Sequence, residues 1–208
     1  MSGATTGGGP TEPPGGRVTR GGMVRIAAGA AAALTGGIAI AAGDGASHAA
    51  PSKQQDVRLL NFFLLLERLQ ERLYAEATER DVLDGDLLSF ATVAGRQDRA
   101  HARLLTDRLG GEADSEPESD FSDALASPER FGRAAIDLEE AAIAAYVAQG
   151  AALRRGTVAA IVPLVSVEAR HAAWIRDLAG VDPAPRAADP PRDSKDILDG
   201  LREKGLLL

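Results

Sequence analysis

From residue 55 onward the apolar positions recur with a helical period. Leu59, Phe63, Leu66, Leu73 and Ala77 fall at three- and four-residue steps, with Arg68, Arg72 and Glu76 on the opposite side. The pattern predicts a first helix from Gln55 to Arg80, closed before Asp84-Gly85. A second runs from Asp86, an acceptable N-cap, to Leu109, where Gly110-Gly111 stops it. Glu112–Ser127 is acidic, contains Pro117 and shows no period, so it reads as a linker. Ser127-Pro128-Glu129 opens a third helix as N-cap, first-position proline and first-turn acid, and that helix continues to Gly150. After a turn at Arg154–Gly156 a fourth helix reaches Leu178–Gly180, and Pro163 inside it is expected to kink it. Beyond Gly180 the chain is Pro-rich. Ile197, Leu198 and Leu201 then give one apolar face to a tail helix, Asp193–Lys204, expected to pack on the bundle end or to dock a partner.

The connections decide the topology. Short links join helices 1 and 2 and helices 3 and 4, which makes two antiparallel hairpins. The middle link, at about 3.4 Å per extended residue, is long enough to run the length of the bundle. An all-α, antiparallel four-helix bundle with a long crossover between helices 2 and 3 follows, over residues 51–180, with residues 181–208 as exit and tail.

Residues 1–50 read as a leader. Arg17, Arg20 and Arg25 precede a weakly apolar run, Ile26–Gly43, and Ser47-His48-Ala49 ends it with small residues in the pattern of an export cleavage site. Thr19-Arg20-Gly21-Gly22-Met23-Val24-Arg25 resembles a twin-arginine signal in which Gly21 replaces the second arginine. The expectation is export to the periplasm, envelope or exterior. The other reading is an uncleaved anchor, since eighteen residues barely span about 30 Å of hydrocarbon.

Composition narrows the chemistry. A net charge of −7 and a pI near 5.0 argue against a nucleic-acid partner, and no basic cluster interleaves with aromatics. Cysteine is absent, which removes disulfides, thiolate metal sites and a lipoprotein anchor.

Two histidines follow the leader, and each lies three residues after a carboxylate: Asp98-Arg99-Ala100-His101 and Glu168-Ala169-Arg170-His171. On a helix these positions share a face, so each motif offers one carboxylate and one imidazole to one point. Glu67 and Glu139 precede the motifs at nearly equal spacing, and Tyr74 and Tyr146 each follow their Glu by seven residues. The order Glu…Asp-x-x-His…Glu…Glu-x-x-His is that of carboxylate di-metal bundles. All four acids have apolar helical neighbours, and inward-facing carboxylates cost several kcal/mol unless neutralised. Two divalent cations balance four carboxylates, and carboxylate with imidazole suits iron or manganese. Glu140 also has apolar neighbours, but the repeat and Tyr146 favour Glu139. The bland reading is a metal-free, hydrogen-bonded polar core.

Leu60-Asn61-Phe62-Phe63-Leu64-Leu65-Leu66-Glu67-Arg68-Leu69-Gln70-Glu71-Arg72-Leu73-Tyr74 resembles the first helix of the bacterial ferritin-like domain family that includes desiccation-related proteins. Ala141–Tyr146 and Val167–Arg176 resemble its third and fourth helices. The resemblance implies a ferritin-like bundle, often exported, with metal ligands at Glu67, Asp98, His101, Glu139, Glu168 and His171. Asp98 stands where Glu is usual, one methylene shorter, and is expected to reach less far than Glu168. Tyr74 and Tyr146 become candidate hydrogen-bonders to the ligands or electron donors.

The functions in view are an exported di-iron or di-manganese protein that oxidises Fe(II) or handles peroxide in stress defence, and a metal-free stress or envelope scaffold of the desiccation type. The partners expected are metal ions, with membrane contact only through a retained leader. Self-association as a homo-oligomer is compatible with the fold.

Overall fold

A computed structural model describes Met1 and residues 50–208. The expected leader, with its apolar run and Ser47-His48-Ala49 end, lies outside the described residues. The helices are α1 (Lys53–Glu79), α2 (Gly85–Leu109), α3 (Pro128–Gln149), α4 (Arg155–Leu178) and α5 (Ser194–Glu203), with short 3₁₀ turns at Gly110–Glu112 and Gly150–Ala152. There is no strand among the described residues.

Local chemistry sets most of the ends. Ser52, just before the first apolar-periodic residues, caps α1 by accepting the Gln55 N–H at 3.1 Å, so the helix begins before Gln55. Asp84 rather than Asp86 holds the N-cap position of α2. Ser127 caps α3 as its sequence predicts, with Pro128 in the first turn. Gly110, at φ 58°, ends α2 in a positive-φ conformation that glycine adopts without a Cβ penalty. The start of α4 has no cap from its own residues. Asp56, on α1 and buried, accepts the Arg154 N–H at 3.0 Å and its Nε at 2.8 Å, and receives the Thr157 hydroxyl as well. α4 continues through Pro163, whose ring is exposed.

The four long helices form a ring in the order α1, α2, α4, α3. Every neighbouring pair is antiparallel. Glu71 meets Arg99 across α1/α2, Tyr74 and Tyr146 meet Glu139 and Glu67 across α1/α3, and Glu140 meets Arg176 across α3/α4. Phe90 and Gln97 meet Trp174 and His171 across α2/α4. The crossover between α2 and α3 makes this arrangement possible, because it returns the chain to the end at which α2 began.

That crossover is more than a linker. No helix forms in 113–127, but Phe121 and Leu125 are buried in the core. Its first residues are strapped to the outer side of α1. The Asn61 Nδ2 donates to the Glu112 carbonyl at 2.8 Å and its Oδ1 accepts the Asp114 N–H at 2.9 Å. Arg68 donates to the Asp114 and Ser115 carbonyls at 2.6 and 3.0 Å. Two apolar residues four apart inside an acidic stretch were the only sequence sign of this packing.

The tail also departs from expectation. α5 lies against the side of α3, where Lys204 pairs with Asp137 at 2.5 Å, rather than on the end of the bundle. Its apolar stripe, Ile197 and Leu201, continues into buried Leu206 and Leu207, and the Leu208 N–H donates to the Glu118 carbonyl at 3.1 Å. The chain end therefore ties the crossover to the bundle.

Phe121→Ala should destabilise the fold by about 3–5 kcal/mol, the usual loss for a fully buried ring. Ser122→Ala, at the exposed neighbour, should change stability by under about 0.5 kcal/mol. Denaturant unfolding of both variants checks this, and equal midpoints would show that the crossover contributes nothing to the core.

Candidate metal centre

Each helix of the ring turns one polar pair into the core. α1 contributes Glu67 and Tyr74, α2 Asp98 and His101, α3 Glu139 and Tyr146, and α4 Glu168 and His171. All four carboxylate residues are 0% exposed, and the histidines are 9% and 3% exposed. Glu140, the alternative register, instead faces outward to Arg176.

The six residues form two groups that share Asp98. One is Glu67, Asp98, His101 and Glu168, and the other is Asp98, Glu139 and His171, with the ligand atoms of each group within 4.8 Å of one another. The His101 Nδ1 lies 3.0 Å from Glu168 Oε1, 3.1 Å from Glu67 Oε2 and 3.9 Å from Asp98 Oδ1. The His171 Nδ1 lies 3.5 Å from Asp98 Oδ1 and 3.7 Å from Glu139 Oε2.

This corrects the simple picture of each motif serving one point. Glu168 sits with His101 on α2 rather than with His171 three residues away, and Asp98 reaches both histidines. Antiparallel passage of α2 and α4 interlocks the two motifs. Asp98, the shortest of the four acids, belongs to both groups, at 3.9 Å from His101 and 3.5 Å from His171.

The tyrosines exchange partners between hairpins. The Tyr74 hydroxyl donates to Glu139 Oε1 at 2.5 Å, and the Tyr146 hydroxyl donates to Glu67 Oε1 at 2.6 Å. One oxygen of each glutamate is thereby held while the other faces a histidine. Close helix approach serves the same end: a Cβ on Gly95 would lie 2.9 Å from the Tyr74 Cβ, so glycine lets α2 seat against Tyr74.

Two further residues join the site. Gln70, 0% exposed, donates its Nε2 to Glu168 Oε2 at 2.9 Å. The His171 Nε2 donates to Gln97 Oε1 at 2.7 Å, which leaves the Nδ1 lone pair facing the acids. Gln70 was legible in principle, since it shares the stripe of Glu67 and Tyr74 at helical spacing. Nothing in the sequence marks Gln97.

Several buried atoms of the site have no hydrogen-bond partner: both Asp98 oxygens, Glu139 Oε2 and His171 Nδ1. All of them belong to the second group. The His101 Nδ1 stands within 3.1 Å of two carboxylate oxygens yet carries at most one hydrogen. Buried polar atoms left this way are costly in a neutral core. An acid–imidazole donor set with its free atoms converging fits divalent metal.

The electrostatics say how the core copes without one. Burial, then the charge of Glu168, pushes Glu67 up to about 7. Burial, with the charges of Glu139 and Glu168, lifts Asp98 well above the carboxylate range, and burial with Glu168 lifts Glu139. Glu168 is the exception. Burial raises it, but the His101 hydrogen bond and the charges of His171 and His101 outweigh burial and hold it low. Burial alone would lower His101, yet its bonds to Glu168 and Glu67 carry it to about 10, whereas burial keeps His171 below its ordinary value. Burial therefore disfavours the ionised forms of Glu67, Asp98 and Glu139, while His101 and Glu168 favour each other's charge.

Among curated proteins the sequence finds no significant match. The family model for the ferritin-like domain matches residues 55–181, which contain all four long helices almost entire and all six acids and histidines of the two groups. The chain belongs to the ferritin-like domain family.

Proposed function

We propose that this is an exported ferritin-like protein that holds two iron or manganese ions and uses them to oxidise Fe(II) or to consume peroxide in stress defence. The observation that carries the reading is the convergence of six buried acids and histidines in two groups joined through Asp98, with both Asp98 oxygens, Glu139 Oε2 and His171 Nδ1 left unpartnered. Glu67, His101 and Glu168 would hold one ion and Glu139 and His171 the other, with Asp98 available to both. Such a pair supplies, when bound, the redox capacity that peroxide reduction or Fe(II) oxidation needs. Tyr74 and Tyr146 fix one oxygen of Glu139 and Glu67, Gln70 fixes one of Glu168, and Gln97 fixes the tautomer of His171. Fe(II) in the oxidation reaction is substrate.

The competing reading is a metal-free stress or envelope scaffold of the desiccation type. The His101–Glu168 pair and the raised acids favour it, because they make a metal-free core tolerable. Export rests on the basic, apolar and small-residue succession of residues 17–49.

Protein matured in iron- or manganese-replete cells should carry two ions per chain, one for each group. Asp98→Ala should remove both, and His171→Ala should leave one, read as metal content by elemental mass spectrometry. A metal-free, fully folded wild type would hand the site to the scaffold reading.

Binding should be proton-linked. Glu67, held up to about 7, and His101, at about 10, must give up protons before ligating, so affinity rises with pH and falls as pH drops. Titration with Mn(II) should show a loss of at least about tenfold per pH unit from pH 7 to pH 6, one proton released for each tenfold. A flat profile would contradict the assigned ligands.

Intact-mass analysis of envelope material should find an N-terminus at or near Ala50. Stable protein that retains Met1 and sits in the membrane would mean an anchor instead.

A further inference from the structure

The two halves of the site repeat one another in their acids and histidines but not in what surrounds them. On the Tyr74 side the aromatic rings continue outward. Tyr74 meets Phe90 edge-on at 5.4 Å between ring centres, and Phe90 meets Trp174 edge-on at 5.3 Å. Phe90 also stands 6.4 Å from the His171 ring, and Phe131 closes the row against Tyr74 and Phe90 at 5.9 and 6.5 Å. Tyr74 and Phe90 are 0% exposed, while Trp174 is half-buried on α4 and reaches solvent. On the other side Tyr146 stacks on Phe63 at 4.4 Å and Phe63 on Phe62 at 6.2 Å, and no tyrosine or tryptophan follows. The chain has two tyrosines and one tryptophan, so every residue with an accessible one-electron oxidation lies on these two rows, and only one row has an outlet.

We propose that Tyr74, Phe90 and Trp174 form a one-electron relay between the acid–histidine site and the surface, with Trp174 as the point where an external reductant delivers electrons. The inference rests on the redox reading of that site. Edge-on rings in van der Waals contact give a continuous π path, and Phe90, too hard to oxidise itself, acts as the bridge. The step balances as follows. Reduction of one peroxide O–O bond to two waters consumes two electrons and two protons from solvent, so it takes two turns of the relay and two equivalents of reductant. In each turn one electron leaves Tyr74, whose phenolic proton passes to the Glu139 oxygen that it already bonds. An electron from the Trp174 indole, with that proton returned, restores the phenol. The indole radical cation loses its Nε1 proton to water. A small one-electron reductant, such as a phenol or an enediol, then supplies the electron that regenerates the indole, with a proton from water.

The test is freeze-quench electron paramagnetic resonance of the full-length protein loaded with Fe(II) and mixed with hydrogen peroxide. Iron and manganese content are measured on the same samples, and ring-deuterated tryptophan or tyrosine identifies the radical. Wild type should give a tryptophan radical, Trp174→Phe a tyrosine radical, and Phe90→Leu at least a tenfold lower yield of the tryptophan radical. Ascorbate should quench the wild-type signal faster than the Trp174→Phe signal. Trp174→Phe, a substitution at a half-buried position, keeps the test decisive if Phe90→Leu fails to fold. Bound and oxidised iron with no tryptophan radical, or with Phe90→Leu equal to wild type, overturns the relay and leaves the metal reading standing. Absence of both bound iron and bound manganese in wild type overturns both.

Discussion

Four carboxylates in a core that water does not reach are the constraint around which this bundle is built. Their charge has to be cancelled from within, by protons, by imidazolium or by cations, because desolvated like charges repel strongly at such range. The helices respond in kind. Each one carries its acid on a stripe otherwise made of Leu, Ala, Phe and Ile, so the acids are seated by the hydrophobic burial that would otherwise exclude them. The hydroxyls and amides nearby hold single oxygens of those acids, which leaves the remaining atoms free and pointed at one another. The fold thus supplies both the cost of the buried charge and a geometry that could hold metal to relieve it.

Symmetry in the ligands and asymmetry in the surroundings divide the labour. The ligands repeat because the two hairpins repeat. The shell does not: one side is closed by Tyr74, Phe90, Phe131 and Trp174, while the other rests on Phe63 and the aliphatic residues of α1 and α3. His101 is the more solvent-accessible of the two histidines and pairs with two acids, whereas His171 is pinned by Gln97 against the aromatic wall. The two acid–histidine groups therefore sit in different electrostatic surroundings, and Asp98 belongs to both.

Much of this could be read from the residues, and the gaps have physical reasons. The helices followed from the spacing of Leu and Ala, and the opening of α3 from Ser127-Pro128-Glu129, because caps and periodicity are local properties of the chain. The six acids and histidines were legible because carboxylates on an apolar stripe contradict their surroundings. What stayed hidden depended on which helix lies beside which. The exchange of Tyr74 and Tyr146 between hairpins, the meeting of Glu168 with His101 and the capping of α4 by Asp56 are all contacts across the ring. Spacing within one helix carries no information on them. Phe121 and Leu125 were hidden for another reason: a pair of apolar residues in an acidic stretch is too short to show a period.

The partner exchange between hairpins bears on how the chain can be made. Tyr74 and Glu139 are 65 positions apart, Tyr146 and Glu67 79, and Gln70 and Glu168 98. A growing polypeptide that has released only α1 and α2 from the ribosome therefore carries Gln70 and Tyr74 on its apolar face before Glu168 and Glu139 exist, and Glu67 with His101 but without Tyr146. Those polar groups weaken self-burial of the first hairpin and keep it open to water until the second arrives. Assembly must then wait for distant segments to meet, which favours slow, concerted closure over stepwise growth. The residues that make the core expensive also act during biosynthesis as a brake against premature collapse.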